Sequence, residues 1–124
     1  MESLVDIADQ VVIGLWGEHV RARRVQGERI TFALVELDPN ADLPQHTHEA
    51  EQMGMVIVGG MRFEVDGVVR ELGPGGAWQI PSMRPHKATA GPDGATVIDV
   101  FTPVRSDWDA LPTSPASPPR WPGR

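Results

Sequence analysis

The sequence predicts an all-β domain made of antiparallel strands. Three observations carry that expectation. Valine outnumbers leucine 14 to 7, which favours extended backbone over helix. Gly and Pro supply 13 and 12 of the 124 residues, so turn-formers recur along the whole chain. The runs between them are short, and none keeps a helical period. The length fits a single domain.

The elements follow in order. Residues 1–10 read as a lead-in turn or short helix, and Val11 to Trp16 as a first strand. Val20–Gln26 and Arg29–Asp38 flank a hairpin-like break at Gly27-Glu28. In the second of these, Ile30, Phe32, Leu34 and Glu36 share one face and Thr31, Ala33, Val35 and Leu37 the other. Both faces are largely apolar, so periodicity leaves the inward face open. Asp38–Pro44 is a loop by its residues, and the segment from Leu43 to Val58 holds the next strand. Gly59-Gly60 reads as a turn, and Met61–Val65 as a strand with one solvated face. Asp66-Gly67 is a type I′ hairpin signal, which sets Val65 opposite Val68 and Arg62 opposite Glu71 as an expected ion pair. Turns at 73–76 and 91–94 bound strands at 77–80, 86–90 and 95–102. Five prolines between 112 and 122 mark an extended or disordered tail. The expected division is a barrel over 1–109 and a tail over 110–124.

Charge and composition exclude several classes. The net charge is −6 and Lys87 is the only lysine, which argues against nucleic acid as a partner. No apolar run is long enough for a membrane helix. The N-terminal residues lack a signal-peptide pattern, so the expected location is cytoplasmic. With no cysteine there is neither a disulfide nor a thiolate metal site.

Three of the four histidines fall in a pattern. His46 and His48 are two apart, so on extended backbone their imidazoles share a face. Gln52 lies at an even offset from them and His86 stands far along the chain. Three imidazoles and one side-chain oxygen suit a divalent first-row metal: nickel, zinc, iron or manganese. Glu51 is a rival ligand, out of phase with the histidines on a regular strand. His19 is left as a surface or structural residue.

Written out, the segments are His46-x-His48-x3-Gln52-x6-Gly59 and Gly75-x5-Pro81-x4-His86. Together they resemble the two motifs of the cupin superfamily, in the same order, over residues 30–105. The resemblance implies a single-domain jelly-roll β-barrel with the metal in its mouth, and a homodimer. The chain departs from the pattern where many cupins carry a glutamate at Gln52, a glycine at Met83 and an asparagine at Ala90. The metal set with Asp99-x-Phe101-x3-Arg105 further resembles the pectin-degradation cupin that ketonises unsaturated galacturonate, and a cyclase-type cupin of polyketide pathways. That resemblance implies Asp99 as the proton-transfer acid, Phe101 as a ring contact and Arg105 as a carboxylate clamp. Read without it, Asp99 is a surface acid, Phe101 is core, and Arg105 pairs with Asp107 or Asp109. Trp16 and Trp78 are candidate pocket walls.

Three functions follow as expectations. The first is a metal-dependent enzyme that tautomerises, isomerises or cyclises a small carboxylate-bearing substrate without redox change. The second is an iron-dependent dioxygenase, told apart by oxygen uptake. The third is a non-catalytic small-molecule binder; no DNA-binding segment accompanies it, which argues against a fused regulator.

Overall fold

A computed structural model describes residues 2–121. Among the described residues nine strands form: β1 Val12–Gly14, β2 Val20–Gln26, β3 Thr31–Leu37, β4 Asp42–His46, β5 Glu51–Val65, β6 Val68–Leu72, β7 Ala77–Ile80, β8 His86–Thr102 and β9 Thr113–Ser114. Helix is confined to two 3-10 turns, Ile7–Asp9 and Ser106–Ala110. Among the described residues no helix is long and apolar enough to cross a membrane. The all-β, antiparallel expectation holds.

The barrel is hinged on two long strands. The second half of β8 lies between β3 and the first half of β5, whose other edge carries β7. The first half of β8 lies between β4 and the second half of β5, whose other edge carries β6. One sheet therefore runs β9-β1-β2-β3-β8-β5-β7, and the other β4-β8-β5-β6. Their inner faces enclose a core that includes Ile13, Val35, Val56, Phe63, Ile80, Ala88 and Val97.

Two expected turns are corrected here. Gly59-Gly60 and residues 91–94 do not reverse the chain; they sit inside β5 and β8. The register slips between Val56 and Val58, and again between Gly59 and Met61. These irregularities bend the paired strands from one sheet into the other, a use of glycine and bulges typical of closed β structures. Gly59 is required at the bend: its φ is +77°, and an added Cβ would sit 2.0 Å from the Gly94 carbonyl oxygen. Gly59→Ala is expected to cost on the order of 3 kcal/mol, through positive-φ strain and backbone collision. Urea unfolding checks this.

The Asp66-Gly67 turn forms as expected, with φ of +51° and +80°. Val65 opposes Val68 and Arg62 opposes Glu71. No ion pair joins Arg62 to Glu71 among the described residues; both are exposed, and such pairs gain little from closing.

The inward face of β3 carries Thr31, Ala33, Val35 and Leu37, all buried. The opposite face is covered at one end by the proline-rich segment. β9 pairs with β1, and Ser117 accepts from Arg23 through its carbonyl at 3.0 Å and its hydroxyl at 3.1 Å. Arg23 is ion-paired with Glu36, whose second oxygen accepts from the Arg120 backbone N–H at 3.0 Å. The segment is extended and held by these bonds; residues 122–124 of the expected tail lie outside the described residues.

Candidate metal centre

His46 ends β4 and His86 begins β8, and the two are direct register partners. Their ring centroids are 4.2 Å apart. His48 lies in the connection that carries the chain from one sheet to the other, 4.8 Å from the His86 ring. The side-chain nitrogens of all three lie within 4.8 Å of one another, so the group could hold a metal ion.

Their hydrogen bonds fix the orientation. Each Nδ1 faces a backbone carbonyl at 2.8 Å: Pro44 for His46, Ala50 for His48 and Arg84 for His86. A carbonyl only accepts, so each Nδ1 carries the proton and each Nε2 presents a lone pair. Burial holds all three imidazoles below the ordinary histidine range, and His86 down to about 4. At neutral pH they are neutral, the form that binds metal.

Two contacts fit a cation. The His86 Nε2 is buried and has no hydrogen-bond partner among the described residues. The His48 Nε2 lies 3.0 Å from Gln52 Oε1, so two acceptors face each other. The Gln52 amide is oriented by its own Nε2, which donates to Asp99 Oδ1 at 2.8 Å. A positive ion between oxygen and imidazole reconciles that geometry.

Gln52 does not reach the site by continuing the histidine strand, as its even offset suggested. The chain crosses between the sheets after His46, and Gln52 sits on β5 between Ile80 and Phe101. It is buried, whereas Glu51 is exposed. Arriving from the sheet opposite β4, its amide still reaches His48.

Asp99 shares the inward face with Val97 and Phe101. Its Oδ1 accepts from Gln52 and from Trp78 Nε1, both at 2.8 Å. Gly54, its register partner, leaves the room: an added Cβ there would meet Asp99 Oδ1 at 2.4 Å. Burial pushes the carboxyl up to about 6, against the lowering effect of those two donors and of Arg105. Trp78, expected as a wall, is therefore also a hydrogen-bond donor. Trp16 packs on the His46 ring, with centroids 4.8 Å apart.

Phe101 is buried with its ring edge-on to His48, 5.7 Å away. The Arg105 guanidinium lies 4.7 Å from the Phe101 ring and 4.9 Å from that of Trp108. Its charge helps lower all three histidines. Its fork is filled by Asp107, with Nε to Oδ1 and Nη2 to Oδ2 both 3.0 Å. His19 is away from the group, exposed and bonded to Asp38.

The cupin domain family matches residues 33–101 of the chain. The chain is a cupin. Its fold superposes on an RmlC-like cupin from Shewanella frigidimarina with a TM-score of 0.80, at 24% identity, covering 87% of this chain and 96% of that one. It superposes on KdgF from a Halomonas species at 0.78, with 28% identity over 86% and 98% of the two chains. Oxalate decarboxylase from B. subtilis gives 0.73 at 20% identity, over 92% of this cupin and 34% of that chain. No functionally curated protein matches the sequence. The jelly-roll expectation is met, and the histidines lie at the end of β4, at the start of β8 and in the connection from β4 to β5.

Proposed function

We propose that this cupin is a metal-dependent enzyme that moves a proton on a small, oxygenated, carboxylate-bearing substrate, in a tautomerisation, isomerisation or cyclisation without redox change. The observation that carries the reading is Asp99. A buried carboxyl raised to about 6 stands beside three neutral imidazoles, held through one oxygen only. Its Oδ2 accepts no hydrogen bond among the described residues, and that oxygen is the one free to give or take a proton.

His46, His48, His86 and Gln52 would hold one divalent first-row ion, which supplies Lewis-acid polarisation of a substrate oxygen when bound. All four side chains are neutral, so they leave the ion's charge undiminished and the site attractive to anions. Gln52 has a double task, because its oxygen faces His48 while its N–H₂ steers Asp99. Arg105 supplies positive charge beside the histidines and a planar fork that fits a carboxylate. Phe101 and Trp16 give the site apolar walls, against which a ring packs and from which water is excluded. The sugar-acid-like substrate is the one implied by the resemblance of the Asp99-x-Phe101-x3-Arg105 set to the pectin-degradation cupin.

The test has two parts. Protein purified without chelator is analysed for metals, with one ion per chain expected. The loaded protein is then offered unsaturated uronates and simple oxoacids, with proton exchange at carbon followed by NMR. Absence of any exchange, or oxygen uptake accompanying turnover, would defeat the proposal.

A further inference from the structure

Arg105 is held unusually well for a residue beyond the last long strand. Its backbone N–H donates to the buried Thr31 hydroxyl at 2.8 Å, and its carbonyl accepts from Arg24 at 3.1 Å. The guanidinium packs against both the Phe101 and Trp108 rings, which also touch each other edge-on. Its side chain is 10% exposed, whereas that of Asp107, which fills its fork, is 63% exposed. The two partners are thus unequal. Arg105 cannot move far and cannot be left unpaired against two rings without cost. Asp107 can swing into water, where a carboxylate is fully hydrated at little loss. A pocket of about 360 Å³ opens beside the pair and is lined by His48, Ala50, Val104, Arg105 and Asp107. The same pocket therefore touches a metal-site histidine, the fork and the carboxylate that occupies it.

We propose that Asp107 is a built-in competitor, a carboxylate that holds the Arg105 fork until a carboxylate-bearing ligand in this pocket displaces it. This rests on the reading of Arg105 as the carboxylate grip. An Asp two residues away is present at a high effective concentration, so it filters out weak anions and keeps the arginine paired when the site is free. The ligand exchanges one bidentate pair for another of the same geometry, so the step favours planar carboxylates over neutral molecules of equal size.

The experiment measures binding of lactate and of its neutral counterpart lactamide to the full chain, with and without added metal, by calorimetry. Asp107→Asn is expected to bind lactate about tenfold more tightly than wild type and lactamide equally well. The double variant Arg105→Gln with Asp107→Asn is expected to lose that gain. Thermal unfolding of each variant confirms that it is folded, and Asp107→Ser serves as a second removal of the carboxylate. Equal lactate affinity in wild type and Asp107→Asn overturns the proposal. So does a gain shared by lactamide, a gain that survives the double variant, or no saturable lactate binding by either protein. Failure of the enzyme reading shows differently, as missing metal or turnover while lactate still competes with Asp107 in the metal-free chain.

Discussion

Asp99→Asn is expected to leave a folded, metal-loaded protein whose turnover falls by about a thousandfold, within the range that loss of a general acid or base produces. The substitution is close to isosteric. The asparagine oxygen can keep both donors that now fix Oδ1, Gln52 and Trp78. What disappears is the second oxygen, the one that carries the proton. A role in packing alone would leave the rate almost unchanged, because shape and hydrogen bonds persist. Comparable rates for wild type and variant, each with one ion bound, would remove Asp99 from the mechanism.

The same variant separates function from stability. Burial raises the Asp99 carboxyl from 3.8 to about 6 in the folded chain. Between those values this group binds more protons in the folded state than in the unfolded state. The contribution of Asp99 to the stability of the metal-free chain is therefore lost as the pH rises from about 4 through 6, while the three histidines, held below their ordinary range, act in the opposite direction over the same interval. The Asp99→Asn chain has no such group and is expected to be at least as stable as wild type at pH 7. The difference in urea midpoint between wild type and Asp99→Asn, measured at pH 4 and at pH 7 so that the histidine contributions cancel, checks the sign. A residue that weakens the fold and is needed for turnover is the combination expected of a functional site.

The three-histidine group was legible in the sequence because its spacing survives folding. His46 and His48 are neighbours in the chain, and His86 becomes their neighbour through the pairing of β4 with β8. The inward face of the last strand was not legible. Ile98 and Val100 on its outer face are half-buried, so alternation gave no contrast around Asp99. Gly59-Gly60 and the segment 91–94 carry the composition of turns, yet they serve as bends in continuous strands. Local sequence does not distinguish the two uses; only the pairing of Gly59 with Ala95 does. The parts played by Trp78, Gly54 and Asp107 depend on register across three strands and a terminal turn, and no short motif announces them. Arg105 showed both of its readings at once. It lies beside the histidines, as the resemblance implied, and it is paired with Asp107, as the plainer reading had it.

His86→Ala is expected to abolish metal retention. The imidazole is buried, neutral at pH 7 and aimed by Arg84, and its Nε2 has no partner among the described residues. A buried acceptor without a partner is a cost to the fold, and an ion that binds there turns the cost into a gain. Removing the ring takes away one ligand of four, and alanine cannot replace it. Even loss of a supporting contact weakens metal sites about 10- to 100-fold, and loss of a ligand is expected to exceed that. Elemental analysis should fall from one ion per chain to nearly none. Thermal unfolding gives an independent reading. Metal at a hundredfold excess over Kd should stabilise wild type by about 2.7 kcal/mol and leave His86→Ala unmoved. His19→Ala is the control, since that ring is exposed on Asp38 and outside the group; it should bind metal as wild type does. Full occupancy in His86→Ala would mean that the ion sits elsewhere. The apposed acceptors of His48 and Gln52 would then need another cause.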